Sequence, residues 1–203
     1  MPLLEPIFVE DCTFFVWYTS EEIEGLLAQC DEDLRKFFES EISQMKSPKR
    51  QKEMLCSRLI CQKCFGAELG HRQDGSPYLI AKAEGERMPN ISISHSGEYV
   101  VVVACSDEPI GVDLQLNDRR LGKLTGYYVN SEDRLDEASG LALCELWSAK
   151  ESLYKVHYVE DLMHDWIVDM PRRTARCRTD LTKATVTIVP FRQDYVLTLA
   201  RLR

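Results

Sequence analysis

The sequence predicts a mixed α+β fold, and two observations support this class. Runs of β-branched and aromatic residues such as Tyr99–Cys105 indicate strands, and apolar residues at helical spacing indicate helices between them. The order is strand, helices and strands, followed by strand, helix and strands, which predicts two related halves that meet near residue 108. No long linker separates the halves, so we expect residues 1–108 and 109–203 to form one compact body.

The predicted N-terminal half alternates strands with helices that carry recognisable end signals. Thr19 and Glu22 have capping-box spacing, which predicts a helix start there and two short amphipathic helices before residue 45. Ser47 and Pro48 predict the start of a longer helix that ends near Gly66. The strands predicted in this half are 12–18, 78–80, 90–94 and 99–105.

The predicted C-terminal half has one long helix. A strand over Ile110–Leu116 opens this half, and a polar segment follows over 117–139. An apolar stripe then predicts a helix over 141–158. The closing strands are predicted at 166–169, 185–189 and 195–199.

Composition excludes several classes of protein. The formal net charge of −8 argues against general nucleic-acid binding. The start of the chain lacks the basic and apolar regions of a signal peptide, and the longest apolar run is too short to cross a bilayer. We therefore expect a cytoplasmic protein that does not enter the membrane.

The eight cysteines are expected to be reduced packing residues, because a chain of this length does not need disulfides to fold. Cys56, Cys61, Cys64 and Cys144 lie in helix-like patterns. Cys61 and Cys64 have the spacing of a metal or redox motif, but no second pair accompanies them. Two thiols on one helix face is the favoured interpretation, and a zinc or thiol-redox protein remains an alternative.

Basic residues gather in three clusters despite the acidic net charge. Such runs are usually solvated faces, but a basic patch could also hold a polyanionic small molecule or an acidic partner. The clusters are Lys46, Lys49, Arg50, Lys52 and Arg58; Arg119, Arg120 and Lys123; and Arg172, Arg173, Arg176 and Arg178.

Two stretches place polar groups at positions where a plain core would be apolar. Ser94 and His95 precede a glycine turn and offer donors to a phosphate, although a hydrogen-bonded turn would explain them equally. Asp113 lies in an apolar strand, where a buried carboxylate needs a cation or donors. Gly111 allows close approach of another group, and Gln115 shares a strand face with Asp113. An ion pair is the competing explanation for Asp113.

A third stretch lies on the predicted long helix. Trp147, Glu151 and Lys155 are spaced by four residues, so they project from one stripe, although a surface Glu–Lys pair of this spacing is common. Together with Asp113 and Lys150, they supply carboxylate oxygens and cations. This inventory suits Mg²⁺ with substrate phosphates, and it indicates phosphoryl transfer.

In this order and spacing, the three stretches resemble the signature of 4′-phosphopantetheinyl transferases of the surfactin-synthetase-activating type. The matching motifs are Ser-His-Ser-Gly, Gly-Val-Asp and Trp-Ser-x-Lys-Glu-Ser-x-x-Lys. The resemblance covers 90–155 well, extends weakly back to Arg50, and fades after Lys155. It implies the fold of that family, with two pseudo-twofold α+β halves that bury the CoA pyrophosphate between them.

The resemblance also implies a reaction, that of a holo-acyl-carrier-protein synthase. The phosphopantetheine arm of coenzyme A moves to a serine of an apo acyl or peptidyl carrier protein, with Mg²⁺ as cofactor and 3′,5′-ADP as the leaving group. Carrier proteins in such systems are acidic, so one basic cluster is expected to receive the partner. Two halves in one chain favour a monomer. The pathway could be fatty-acid, polyketide or nonribosomal-peptide synthesis.

Residue roles follow from the same resemblance. Asp113 and Glu151 would bind Mg²⁺, with Gln115 as a weak third ligand. Glu151 would accept the proton of the carrier serine, and Lys155 would offset the developing charge. The residues implied to contact CoA are Arg50, Ser94, His95, Lys150 and Lys155.

The sequence departs from the family pattern in three places. Gln115 stands where a second acid is frequent, and Ser76 stands where a lysine is usual. The segment 156–160 replaces a glycine-containing loop. A catalytically weak or inactive module of the same fold, which binds CoA or a related nucleotide, is therefore the alternative function.

Overall fold

The structure, a computed structural model, describes residues 2–83, 85–106, 108–118 and 120–203. The chain divides into two compact units, Met1–Ser106 and Asp107–Arg203. Each unit contains both helices and an antiparallel sheet, so the α+β class is confirmed. Within the described ranges, no helix combines the length and the apolar character that a membrane crossing requires.

The first unit contains a sheet of four strands in the order β1-β2-β6-β5, and a separate β3-β4 pair. All neighbouring strands are antiparallel. The strands are β1 (Ile7–Val9), β2 (Cys12–Tyr18), β3 (Glu68–His71), β4 (Pro77–Ile80), β5 (Asn90–Ser96) and β6 (Tyr99–Cys105). The helices are α1 (Ile23–Leu27), α2 (Glu32–Phe37), which continues into a π-helical turn (Phe38–Ile42), and α3 (Pro48–Phe65).

Helix α3 has the end signals that the sequence predicts. The Ser47 side chain accepts a hydrogen bond from the Arg50 amide, Pro48 occupies the first turn, and Gly66 ends the helix in the left-handed region with φ 62°. The buried middle of the helix packs in the core with residues of β2 and β6. Arg50 is therefore held in the first turn of a helix whose middle is buried in the core.

The second unit contains one sheet in the order β7-β11-β10-β9-β8. Its neighbouring strands are also antiparallel. The strands are β7 (Ile110–Leu116), β8 (Trp166–Asp169), β9 (Thr174–Cys177), β10 (Lys183–Val189) and β11 (Tyr195–Leu202). The helices are α4 (Thr125–Tyr128), which follows a 3₁₀ turn (Leu121–Lys123), α5 (Ala142–Val156) and α6 (Leu162–Asp165).

The two units share one connectivity. In the first, strand β2 is followed by α3 and then by the β5-β6 hairpin, whose second strand pairs with β2. In the second, strand β7 is followed by α5 and then by the β10-β11 hairpin, whose second strand pairs with β7. Each unit therefore contains a strand, a helix and a hairpin in the same chain order.

Small residues let α5 lie close to the sheet of the second unit. A Cβ atom placed on Gly111 of β7 would lie 1.8 Å from the carbonyl oxygen of Ser152 on α5. The Thr198 hydroxyl of β11 donates to the Ser148 carbonyl oxygen over 2.9 Å, and the Ser148 hydroxyl donates to the Asp113 carbonyl oxygen over 3.3 Å. Ser148 and Ser152 are fully buried. Two serines of the third motif therefore have a packing role.

A disulfide joins Cys12 and Cys105 across strands β2 and β6. The two residues are direct partners in the register, with their Cα atoms 4.5 Å apart. The expectation that all eight cysteines are reduced is wrong for this pair, because strand pairing brings together two residues that are 93 positions apart in the chain. Free thiols are found at Cys56, Cys61, Cys64 and Cys144, as predicted.

Candidate active site

Asp113 and Lys155 form the centre of the candidate site. Asp113 lies on β7, opposite Thr198 of β11, and its side chain is 8% exposed. The Lys155 ammonium, from the last turn of α5, donates to Asp113 Oδ1 over 3.0 Å and to the Val112 carbonyl oxygen over 2.8 Å. Lys155 therefore reaches back from the helix to the strand, and it supplies the cation that a buried carboxylate requires.

Glu151 lies one turn before Lys155 and faces the same place. Burial raises the pKa of the Glu151 carboxyl, and the negative charge of Asp113 raises that pKa further. The Lys155 ammonium acts in the opposite direction. The charges of Asp113 and Lys155 thus act on the Glu151 carboxyl in a partly buried region. The spacing of the two motifs along the sequence could not establish this proximity.

These side chains fit a hard divalent cation. Mg²⁺ binds carboxylate oxygens and keeps several waters, so two protein carboxylates suffice when a substrate phosphate completes the shell. The mutual repulsion of Asp113 and Glu151, which one lysine only partly offsets, would be relieved by a bound 2+ ion. The donor set is therefore compatible with the magnesium that the sequence motifs imply.

Gln115 lies two residues beyond Asp113 on β7 and has a structural partner. Its Oε1 atom accepts a hydrogen bond from the Trp147 indole over 3.2 Å, and its amide group donates to the Leu116 carbonyl oxygen over 2.8 Å. The Trp147 ring packs edge-on against Tyr128, with the centroids 5.1 Å apart. This network orients the amide toward the indole, and a weak ligand role for Gln115 stays a prediction.

Lys150 does not present its ammonium in the way that the motif implies. Its Nζ atom lies 2.6 Å from Asp133 Oδ2, and both side chains are fully buried. Asp133 also accepts hydrogen bonds from the amides of Asn130 and Val168 over 2.9 and 3.0 Å. Burial lowers the pKa of Lys150, and the Asp133 carboxylate raises it again. In this conformation the Lys150 ammonium is enclosed in a buried ion pair, and its contact with a CoA phosphate stays a prediction.

This ion pair yields a stability prediction. Lys150→Met is expected to lower the free energy of unfolding by about 3–5 kcal/mol, because it leaves the Asp133 carboxylate buried without its cation. Adding Asp133→Asn to Lys150→Met is expected to recover part of that loss, because it removes the buried negative charge and its amide oxygen still accepts one of the two backbone hydrogen bonds. Urea denaturation measures both changes.

The matched control is the exposed pair of Lys36 and Glu32, whose side chains are 66% and 81% exposed. Lys36→Met should leave the free energy of unfolding unchanged within error. If Lys150→Met kept wild-type stability and lost CoA binding instead, the ligand role implied by the motif would be restored.

A second cluster lies in the first unit, where Arg50 of α3 meets His95 of β5. The Arg50 guanidinium contacts His95 Nε2, and Glu53 contacts both residues, with 3.3 Å from its Oε2 to Arg50 Nη1 and 3.3 Å from its Oε1 to His95 Nδ1. The sequence reasoning missed Glu53 as the centre of this cluster. Its position three residues after Arg50, on the same helix face, was the available signal.

The electrostatics of this cluster favour an anionic ligand. Burial of Glu53, whose side chain is 11% exposed, acts to raise its pKa, but hydrogen bonds and charges from His95, Arg50 and Lys49 lower the pKa overall. One carboxylate is thus shared among several basic groups. The Arg50 side chain is 49% exposed, so its remaining N–H donors can reach a phosphate, whereas both ring nitrogens of His95 are engaged by Glu53 and Arg50.

Ser94 lies apart from this cluster. It is 5% exposed, and alternation along β5 places it on the sheet face opposite His95. The two side chains therefore point to different faces of the sheet, and the contact of Ser94 and His95 with CoA phosphates stays a prediction. Strand β5 also continues through Ser96, so the turn begins at Gly97, which has φ 58°.

Comparison of the chain with models of known protein families and with curated proteins found no match. The functional interpretation therefore depends on the three short motifs and on the geometry that brings their side chains together. The convergence of Asp113, Glu151 and Lys155 is the strongest of these geometric observations.

The basic clusters differ in how much charge they present. The cluster at 172–178 is largely neutralised, since its arginines pair with Asp169, Asp136, Glu145 and Glu132. In the cluster at 119–123, Arg119 lies outside the described residues, and Arg120 pairs with Asp118. In the first cluster, Lys49 and Arg50 share the single carboxylate of Glu53. In the same cluster, Lys52 pairs with Glu22 and Arg58 is buried, so the docking of an acidic partner on one of these clusters stays a prediction.

The Cys61–Cys64 alternative gains no support. Burial raises the pKa of both thiols, that of Cys61 to about 12, which makes them poor nucleophiles and poor ligands. In the described part of the chain, the groups of three or more potential metal ligands include neither residue. We therefore continue to interpret Cys61 and Cys64 as two packing thiols on one face of α3.

Proposed function

We propose that this chain is a magnesium-dependent 4′-phosphopantetheinyl transferase that modifies a serine of an apo acyl or peptidyl carrier protein. The observation that carries the proposal is the convergence of Asp113, Glu151 and Lys155, from two motifs about 40 residues apart, in one partly buried region. The shared connectivity of the two units supports the phosphopantetheinyl transferase fold. We also propose that the protein modifies its carrier protein in the cytoplasm.

Glu151 is proposed as the general base. In the metal-free protein, burial and the Asp113 charge raise the pKa of Glu151, which makes its carboxylate a stronger base than an exposed one. It takes the proton of the carrier serine as the serine oxygen bonds to the β-phosphorus of CoA. The phosphorus–oxygen bond to 3′,5′-ADP then breaks, and the electron pair leaves with the nucleotide.

Lys155 and Asp113 are proposed to prepare the site for this reaction. Lys155 holds Asp113 in place before substrate binds, and its ammonium can turn toward the developing phosphate charge. Mg²⁺, held by Asp113 and Glu151, would neutralise the pyrophosphate and stabilise the departing oxygen. Gln115 can assist through its amide oxygen only if the bond to Trp147 lengthens.

The cluster of Arg50, Glu53 and His95 is proposed to bind the phosphates of CoA. Arg50 provides donors, Glu53 keeps the Arg50 and His95 side chains in position, and His95 can donate to a phosphate only if its ring leaves Glu53 or Arg50. Lys49 adds a further positive charge beside them. This role is separate from the chemistry at Glu151, so its loss should weaken CoA binding more than turnover.

The direct test incubates the protein with CoA, Mg²⁺ and apo carrier proteins from fatty-acid, polyketide and nonribosomal-peptide synthesis. Transfer adds about 340 Da to the carrier, the mass of the transferred phosphopantetheine. Intact-mass spectrometry detects the gain. If none of the carrier proteins gained this mass at a CoA concentration that saturates the protein, the result would contradict the proposal.

Asp113→Asn tests the metal role within the same assay. Turnover is expected to fall at least about tenfold, with a higher Mg²⁺ concentration needed for half-maximal rate, because one ligand charge is lost. Asp118→Asn, at a partly exposed acid just after β7 that pairs with Arg120, is the matched control. Equal magnesium dependence in both variants would remove Asp113 from the site.

A CoA-binding module without turnover is the second candidate. The bond between Gln115 and Trp147 favours it, because that bond engages the Gln115 amide oxygen that would otherwise be the third protein ligand of the metal. Calorimetry separates the two candidates. Binding of CoA that does not depend on Mg²⁺, together with unmodified carriers, supports the module.

A further inference from the structure

The second unit contains a group of nitrogen, sulfur and oxygen ligands outside the proposed active site. The side-chain donor atoms of His157, Cys177 and Asp180 all lie within 4.8 Å of one another. His157 directly follows α5, Cys177 ends β9, and Asp180 lies in the turn between β9 and β10. Three different donor types therefore meet where a helix end reaches a hairpin.

The hairpin presents two of these ligands from one tight turn. The Cys177 amide donates to the Thr182 carbonyl oxygen over 2.7 Å, which closes the turn. Asp180 Oδ1 accepts the Thr182 amide over 2.9 Å, so Oδ2 is left to face His157. Two ligands separated by two residues in a closed turn is the local arrangement that zinc sites commonly use.

The third ligand is held by the end of α5. The His157 amide donates to the Leu153 carbonyl oxygen over 2.9 Å, and its ring packs edge-on against Trp166 at 5.8 Å between centroids. Its Nε2 atom lies 2.8 Å from Asp180 Oδ2. The His157 and Asp180 side chains are 28% and 45% exposed, so an ion can enter from solvent and reach the buried Cys177 thiol.

We infer that His157, Cys177 and Asp180 bind a zinc ion. A thiolate and an imidazole are poor ligands for Mg²⁺ or Ca²⁺ and good ligands for Zn²⁺, which takes them together with a carboxylate in tetrahedral sites. On binding, the Cys177 sulfur–hydrogen bond breaks and its proton passes to solvent, and His157 binds as the neutral imidazole through a ring nitrogen that carries no proton, with its one proton on the other nitrogen. The thiolate and the Asp180 carboxylate then balance the 2+ charge, and water can fill the fourth position.

This site binds a different class of cation from the proposed active site and does not depend on the proposed function. The ion would cross-link the C-terminal end of α5 to the β9-β10 hairpin. Zinc binding should therefore stabilise the protein against unfolding, and that effect can be measured without any assay of transfer.

The experiment uses the full chain after removal of metal with a chelator. Cobalt is added first as a spectroscopic substitute for zinc, and zinc is then titrated against it. We expect one ion per chain, a thiolate-to-cobalt absorption band in the near ultraviolet, and a higher melting temperature with zinc. Cys177→Ser is expected to remove the band, and His157→Gln and Asp180→Asn each to weaken zinc binding by about 100-fold or more.

Two matched controls distinguish a built site from incidental binding. Cys64→Ser removes a partly buried thiol on α3 and should leave the cobalt band intact. His164→Gln breaks a similar histidine–aspartate contact, in which His164 Nδ1 lies 2.6 Å from Asp161 Oδ2. Among the described residues, neither His164 nor Asp161 belongs to a group of three potential ligands, so this variant should not change zinc affinity. Circular dichroism checks that each variant is folded. A wild-type chain without the cobalt band, or an unchanged band in folded Cys177→Ser, overturns the inference.

Discussion

Glu151→Gln is expected to lower the rate of phosphopantetheine transfer by about 10²–10⁴-fold, the usual contribution of a general base. The amide keeps the shape of the side chain but cannot accept the serine proton, and it offers magnesium no negative charge. Intact-mass spectrometry of the carrier over time measures the rate. Binding of CoA through the Arg50 and His95 cluster should change little, because that cluster does not include Glu151.

The same substitution is expected to stabilise the protein at neutral pH. Burial and the Asp113 charge raise the pKa of Glu151 in the folded state, so ionisation of Glu151 opposes folding. That destabilisation is absent below the unfolded-state pKa, grows as the pH rises toward the folded-state pKa, and is complete above it. Glutamine does not ionise, so the gain from Glu151→Gln should be present at pH 7 and absent below about pH 4.

Urea denaturation at the two pH values tests this sign. Glu160→Gln, at an exposed acid in the segment after α5, is the control and should change neither activity nor stability. A variant that loses activity and gains stability is what a functional carboxylate predicts, since active sites retain unfavourable charges. If Glu151→Gln were less stable than wild type and equally active, Glu151 would be a structural residue.

Gly111→Ala is expected to be strongly destabilising, with a loss of about 3 kcal/mol or more in the free energy of unfolding, comparable to that of Lys150→Met. The new Cβ would lie 1.8 Å from the Ser152 carbonyl oxygen, and 2.9 Å from both the Ser152 carbonyl carbon and the Val156 amide nitrogen. All three atoms belong to the backbone of α5. A side chain could rotate away, but here the helix itself would have to move.

That movement would also affect the site, because α5 carries Glu151 and Lys155 while β7 carries Asp113. Any Gly111→Ala protein that folds should therefore need more Mg²⁺ for transfer. Gly122→Ala is the control, since a Cβ there meets nothing within 4 Å. Urea denaturation of both variants decides the matter, and a Gly111→Ala protein as stable as Gly122→Ala would mean that α5 does not approach the strand so closely.

Local signals in the sequence predicted many elements well. The bounds of strands Cys12–Tyr18, Tyr99–Cys105 and Ile110–Leu116 match the structure, because dense β-branched and aromatic runs specify a strand without help from distant residues. The helix that starts at Ser47 also matches, because its N-cap and its terminal glycine act within a single turn.

Other local signals were overridden by distant partners. Thr19 has capping-box spacing, but its hydroxyl donates to the Glu98 carbonyl oxygen, and the helix begins later, at Ile23. The short strands Ile7–Val9, Glu68–His71 and Thr174–Cys177 were not predicted. Such strands are specified mainly by the neighbour with which they pair, so their own residues carry a weak signal.

The sequence by itself determined the α+β class, the main strands and helices, and the inventory of a candidate site with Asp113, Glu151 and Lys155. Only the tertiary structure decided how those groups are used. It paired Lys155 with Asp113, enclosed Lys150 with Asp133, placed Ser94 and His95 on opposite faces, and joined Cys12 to Cys105. The physical reason is that residue type and spacing fix which groups share a face. The partner that a charge or thiol meets depends on contacts between elements distant in the chain.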